Sequence, residues 1–426
     1  MPPHGSRTAR HALAAPHPPV PAQAREVNGS IWCPTRVTTG EGATSGVVAG
    51  LPAGDATLVV ADSALLGRAE RVAAGRSVVP VSGAAISTVR SLVERLEEQR
   101  PAAIVAIGGG SVLDAVKVAV ATGIGRLPAL LRQLDRGPIS TRRPLRNGAP
   151  VLIAVPTTLG TASEVSPVAC VTTAAGHRLV TGDDLRPQLA VLDPEQLSTL
   201  PARLVREGAL EMFLRVAGTA ASGALSPAAF DAAVDLGRRM LSLGDRLRTE
   251  DTIASRGGLA LLSAESRWSW SAHPTDPFVL KHWYPANELA WAASISKIAA
   301  TLLVLPRLWA LVLEGERRLG DRAALERFWR EVRPAVPASP SDAVLAVAAD
   351  WGIAPPPDPL PAVMRRAARG TATTWVRARG ALPDWDEALI SAVLGPRAAP
   401  IRGDGPHSDS GAGDPATVPE IDTGGR

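Results

Sequence analysis

The chain has 426 residues, enough for two domains of ordinary size, and 46% of them are hydrophobic, so there is ample material for a core. The formal charge of +4 is small and the basic residues are scattered, which gives neither a nucleic-acid nor a membrane footprint; no apolar run approaches the ~18 residues of a spanning helix. Two cysteines, Cys33 and Cys170, do not make a disulfide framework, and residues 1–28 lack the apolar segment of a secretory signal, so a cytoplasmic location is expected. Nearly all the positive charge is arginine. Lysine occurs only at Lys117, Lys281 and Lys297, which makes a lysine inside a motif informative.

Residues 1–28, rich in Pro, Ala and His, read as a disordered tail. A first short strand should precede the turn at Gly40–Gly42. ATLVVAD (56–62) and SVVPV (77–81) read as strands, STVRSLVERLEEQR (87–100) as an amphipathic helix, and IVAI (104–107) as a buried parallel strand. Three glycines and Ser111 follow that strand, and then a helix carries Val112, Val116 and Val120 on one face. Strand, glycine turn and helix N-terminus together can bind an anion, because the free first-turn N–H groups and the helix dipole both favour negative charge. Many α/β turns carry glycines for packing alone, so this stretch by itself supports either reading.

Residues 126–148, rich in Arg and Pro, read as a loop. VLIAV (151–155) is a strand ended by Pro156, with the hydroxyls of Thr157 and Thr158 beside it and Gly160 at a turn. LAVL (189–192) supplies a last strand before Asp193 and Pro194. Alternating strands and helices predict an α/β parallel sheet. After Pro201 the pattern becomes helical: 202–221, 226–246, 250–266, 287–315, 320–332, 340–350, 360–370 and 385–394. The pattern therefore gives an α/β region over 29–200, an all-α region over 201–398, and a second disordered tail over 399–426.

Taken together, GGGSVLDAVK (108–117), PTTLGTASEVSPVA (156–169) and LDPEQLSTLP (192–201) resemble the iron-containing alcohol dehydrogenase family, within the dehydroquinate synthase-like fold. The resemblance covers roughly residues 30–310. It implies a Rossmann-like dinucleotide-binding domain over 29–200, an all-α substrate domain over 201–398, and an NAD(P)-dependent oxidoreductase with its cleft between them; a homo-oligomer is also expected. The pyrophosphate falls on Gly108, Gly109, Gly110 and Ser111. Asp114 and Lys117 match the family's acidic and basic positions; the alternative for them is an i, i+3 ion pair on a solvated face. Thr157 and Thr158 match the pair lining the adenine and ribose. Asp62 matches the acidic end of the second strand, which favours NAD over NADP, although capping of the next helix explains it equally well. The family's cofactor-side lysine is replaced by His177, with Arg178 beside it.

The family holds its divalent metal with one Asp and three His, and here the pattern departs. An ungapped match puts Leu210 and Leu214 at the helical D-x-x-x-H pair. Glu211 and Arg215 keep the spacing one step later, but arginine has no lone pair to offer a metal. The run KIAATLLVLP (297–306) puts Lys297 at the last His position, and His282 is the one ligand-type residue left at the position before it; His273 has no matching partner. The expectation is that no divalent metal is bound, that Lys297 supplies the positive charge, and that His282 and Glu211 complete a catalytic group with it. The bland alternative pairs Lys297 with Glu211 or Glu288 as a structural ion pair.

The degraded metal set and the Trp-rich segment 268–301 look like the dehydrogenases of daptide-type peptide biosynthesis. That narrower resemblance implies oxidation of the C-terminal threonine hydroxyl of a precursor peptide, with a pathway partner protein. The main competing reading is a catalytically impaired scaffold that keeps the nucleotide site; a lyase of the same fold would need a phosphate-binding cluster that three lysines do not supply.

Overall fold

The computed structural model describes residues 33–141, 149–268, 278–334, 339–378 and 380–395. Both expected tails and His273 lie outside the described residues. The chain opens with strand β1 (Arg36–Thr39) and helix α1 (Ala43–Ala49), then β2 (Thr57–Asp62), α2 (Leu66–Ala73), β3 (Val78–Val81), α3 (Ile86–Gln99), β4 (Ala103–Gly108) and α4 (Gly110–Arg136). Strands β5 (Ile139–Thr141), β6 (Val151–Pro156), β7 (Val168–Thr173), β8 (Gly176–Thr181) and β9 (Leu189–Leu192) follow. Six of these make an all-parallel sheet in the order β1-β9-β6-β4-β2-β3.

The period of two in the sequence decides which side chains go where. Leu58, Val60, Ile104, Ala106, Leu152 and Ala154 pack on one face with Val89, Leu92, Val112 and Val116 of α3 and α4. Val59, Ala61, Val105, Ile107, Ile153 and Val155 fill the other face with Val48 of α1 and Ala69 and Ala73 of α2. Both faces are covered, which is why these strands read as unbroken apolar runs. The chain steps from β2 outward to β3, then returns to place β4 on the opposite side of β2. The switch point of the sheet therefore lies between β2 and β4, where Asp62 and Gly108 end neighbouring strands; ligands of open α/β sheets bind in such a crevice.

Before Pro201 two stretches differ from the sequence-based expectation. Residues 126–136 are helical, not looped. Gly123 breaks the regularity of α4 with φ 57°, and Pro128 falls early in the second stretch, where a missing N–H costs little. Leu127, Leu130 and Leu134 supply the buried stripe. A second, small sheet was also not foreseen: β7 and β8 form an antiparallel hairpin, with β5 parallel to β8.

Beyond Pro201 the regular elements among the described residues are all helical: α5 (Ala202–Ala220), α6 (Pro227–Arg246), α7 (Ile253–Trp268), α8 (Trp283–Ala293), α9 (Lys297–Leu313), α10 (Arg322–Val332), α11 (Pro340–Asp350), α12 (Pro361–Gly370), continued by a wider turn Thr371–Val376, and α13 (Glu387–Leu394). Phe213, Trp309, Phe328, Trp329 and Trp351 fill their core, so most tryptophans are packing residues. The single helix expected over 287–315 is two. Ser294 turns left-handed at φ 54°, and Ser296 Oγ accepts from Ala299 N at 3.2 Å to start α9. That break puts Lys297 on the first turn of a helix. The turn after β9 joins the two parts: Asp193 is buried and accepts from the amides of Gly42, Thr44 and Glu195, while Arg256 of α7 holds the carbonyls of Leu197 and Leu200.

Candidate active site

The glycine turn closes the end of β4 against the loop after β6. A Cβ on Gly108 would sit 2.6 Å from Val112 Cβ, one on Gly109 3.0 Å from Thr158 Cγ2, and one on Gly110 2.6 Å from Thr161 Oγ1. Close packing alone thus requires glycine here. The packing does not block an anion: Ser111 is exposed, and the first-turn N–H groups of α4 have no acceptor within the helix. Thr157 is buried and its N–H donates to Gly108 O at 3.0 Å, so Thr158 and Ser111 are the hydroxyls nearer solvent. Asp62 caps the turn after β2, its Oδ1 accepting from Ala64 N at 3.0 Å, at the switch point beside Gly108.

Asp114 and Lys117 form an ion pair at 3.3 Å, but not on a solvated face. Lys117 is 1% exposed, and Nζ also donates to Ser163 O, Ser163 Oγ and Val168 O at 3.0, 3.1 and 2.7 Å. Asp114 accepts from Ser163 Oγ and from Cys170 N at 2.8 Å. Burial lowers the pKa of Lys117, and Asp114 opposes that shift. The pair is a latch that ties α4 to the 163–165 turn and to β7; its groups are fully engaged by the protein, which corrects the placement of Asp114 among cofactor contacts.

The phase of α5 decides between the two matches to the metal helix. Leu210 and Leu214 are buried in the helical core, so the ungapped match is turned away from the crevice. Glu211 and Arg215 face the loop after β6. A Cβ on Gly160, whose φ is +102°, would lie 3.0 Å from Glu211 Oε2, and Arg215 Nη1 donates to Thr161 O at 3.4 Å. Arg267 of α7 joins them. Burial first, and Arg215 second, pull its pKa down to about 9, while Glu211 and Glu164 oppose the shift. Arg215 Nη2 and Arg267 Nε are buried without an acceptor. Among the described residues no three His, Cys, Asp or Glu side chains converge as a metal site. A carboxylate beside two guanidinium groups does not fit a divalent cation.

Lys297 lies apart from this cluster. It lines a cavity of about 770 Å³ between the β7–β8 hairpin and helices α8, α9 and α12, together with His177, Asn287, Glu288, Trp291 and Arg369. Its Nζ lies 4.9 Å from the centroid of the Trp283 ring, and among the described residues it has no ion pair, so neither Glu211 nor Glu288 is its partner. Glu288 instead accepts from Trp375 Nε1 at 2.8 Å, and burial raises its pKa. His177 Nδ1 lies 3.3 Å from Thr172 Oγ1, and its ring meets the edge of Trp291 at 5.5 Å. Burial first, then the charges of Lys297 and Arg178, lower its pKa to about 4, so it is neutral and does not replace the family's cofactor-side cation. Arg178 does not supply that cation either, because its guanidinium holds Leu134 O and His177 O.

The expected trio of Lys297, His282 and Glu211 is therefore not assembled. Neither His282 nor Glu211 lines the cavity. His282 is buried against α5, where its Cε1 would lie 2.8 Å from a Cβ on Gly218, and burial lowers its pKa to about 4. The structure instead joins Lys297 to His177, and it adds Asn287, Arg366 and Arg369, which the sequence reading passed over. Asn287 was detectable as a lone amide on an otherwise apolar helix face. The arginines, from a helix some seventy residues on, carried no signal.

Residues 34–194 match the family model described as "Iron-containing alcohol dehydrogenase". Phosphonoacetaldehyde reductase of Streptomyces viridochromogenes is 36% identical over 129 residues, 29% of this chain and 32% of that enzyme. An alcohol dehydrogenase of Thermococcus barophilus is 29% identical over 189 residues, 41% of this chain and 49% of the other. The matches thus span between a third and a half of these relatives' length. In three dimensions the NADH-dependent butanol dehydrogenase A of Thermotoga maritima aligns at a TM-score of 0.69 and 17% identity, covering 86% of this chain and 98% of the other. The sulfoacetaldehyde reductase of Bifidobacterium kashiwanohense, solved with NAD+, aligns at 0.66 and 15% identity, covering 86% and 97%. Over residues 34–194 the chain is thus similar in sequence to the iron-containing alcohol dehydrogenases, and over most of its length it shares the fold of these solved structures.

Proposed function

We propose that the chain is an NAD(P)-dependent alcohol dehydrogenase-like oxidoreductase in which the Lys297 ammonium does the electrostatic work of the family's metal. One observation carries this reading. Lys297 and His177, matched independently to the metal side and the cofactor side, line one cavity, and among the described residues Lys297 has no ion-pair partner. Ser111, Gly109 and Gly110 would hold the cofactor pyrophosphate, and Asp62, at the switch point, a ribose hydroxyl. The nicotinamide would supply or accept the hydride. In reduction the Lys297 ammonium hydrogen-bonds the carbonyl oxygen, stabilises the negative charge that grows there as hydride arrives, and gives up a proton to it; in oxidation the neutral amine takes that proton from the alcohol as hydride leaves for the nicotinamide. The Trp283 ring covers the amine on one side.

The substrate in this proposal is the C-terminal threonine hydroxyl of a precursor peptide, as in daptide-type biosynthesis. The cavity is far larger than a short alcohol needs, and at this scale it has room for the last residues of a peptide. Oxidation of that hydroxyl gives a β-keto acid, which loses carbon dioxide. A reductase of small anionic aldehydes is the second reading, favoured by Lys297, Arg366 and Arg369 around the cavity and by what two relatives' names say they reduce. Nicotinamide fluorescence tests the core of the proposal. The full chain should enhance NADH emission, Ser111→Glu should abolish the enhancement, and Lys297→Met should keep it while losing turnover. A chain that binds no nucleotide would favour the scaffold reading.

A further inference from the structure

Resting on the oxidoreductase reading, we infer that the cavity carries a built subsite for a carboxylate next to an amide, formed by Arg369 and Asn287, and that it takes the C-terminal residue of a peptide. Asn287 is 0% exposed, lines the cavity, and has neither its Nδ2 nor its Oδ1 hydrogen-bonded. A buried primary amide left without partners costs free energy, so this side chain is placed for a ligand. One donor and one acceptor on a single planar group match the C=O and N–H of a peptide unit, which offers the complementary pair.

Charge supports the same occupant. Three cations, Lys297, Arg366 and Arg369, line the cavity against the single carboxylate of Glu288, and His177 is neutral there. Glu288 is already engaged by Trp375 Nε1. Arg366 spends one N–H on Ala292 O, whereas among the described residues the Arg369 guanidinium has no partner. Arg369 is therefore the free planar donor fork, and a carboxylate is the group it fits bidentately. With Arg369 on the carboxylate and Asn287 on the adjoining peptide unit, the side-chain hydroxyl of the last residue is left for Lys297.

The test uses N-acetyl-alanyl-threonine and its C-terminal amide, titrated calorimetrically into the full chain saturated with NADH. The acid should bind at least ~10-fold more tightly than the amide, since a charge-assisted bidentate pair is lost. Arg369→Gln, an exposed position whose replacement leaves the core intact, should erase that difference. Asn287→Ala should weaken both probes alike and spare the acid preference. Equal binding of acid and amide, or no binding of the acid, overturns the subsite. NADH emission, read on the same samples, separates this outcome from failure of the oxidoreductase reading: enhanced emission without acid preference sinks only the subsite, while absent emission sinks the reading beneath it.

Discussion

An ammonium and a metal ion share one property that matters to an alcohol oxygen: each presents positive charge that strengthens as the oxygen becomes an alkoxide. They differ in that the ammonium can also deliver a proton. In the proposed mechanism Lys297 uses both; it stands at a helix start and over an indole face, with no ion pair among the described residues. Its replacement by Met should lower kcat by about 10²-fold or more, as the loss of one oxyanion donor does elsewhere, with NADH affinity unchanged in a fluorescence titration. Exogenous ethylamine restoring turnover would mark the role as chemical. His282 has a different part. Its pKa falls from 6.5 to about 4 on burial, so it contributes stability that is complete above pH 6.5 and is lost as pH falls toward 4. That difference amounts to roughly 3 kcal/mol. Urea titrations of His282→Gln should accordingly show a flatter loss of stability between pH 6.5 and 4 than the parent, and an equal slope would remove the buried neutral imidazole from the account.

At the scale of elements, the crevice depends on close approaches between backbone segments. Gly208 of α5 meets Leu159, where an added Cβ would stand 2.6 Å from Leu159 Cβ, and Gly160 of the same loop meets Glu211. Gly208→Ala should therefore push α5 from the loop after β6, at a cost of about 1–3 kcal/mol, and weaken NADH binding through the displaced threonines. The Asp114–Lys117 latch holds the other side of that loop. Lys117→Met should cost about 3 kcal/mol, because Asp114 would keep a charge with its main partner gone. Adding Asp114→Asn should recover part of the loss in thermal melts. Recovery would identify the latch as structural; a variant that melts normally yet binds no NADH would return Asp114 to the cofactor site.

For the whole molecule, the sequence was most legible where the physics is local. Period-two apolar runs and the glycine turn located the parallel sheet and its switch point, because both facts lie within a few consecutive residues. The break at Ser294 was hidden, since Ala292–Lys297 carries no glycine or proline to announce it, and the hairpin Val168–Thr181 was hidden because its partly buried strands alternate weakly. The crevice was the least legible part. Lys297 and His177 were named but not as neighbours, His282 was given a role its burial denies it, and Arg369 reaches the cavity only through the packing of α12 on α8. Such meetings are set by tertiary contacts between elements far apart in sequence.

The claim on which the rest turns is that a protonated amine, and not a metal ion, faces the substrate of a nicotinamide enzyme. Elemental analysis of the full chain, purified without chelator and saturated with NADH, tests it most directly. The account predicts stoichiometric nucleotide with no stoichiometric iron or zinc. Iron or zinc present in equal amount to the chain, and retained through dialysis, would contradict it.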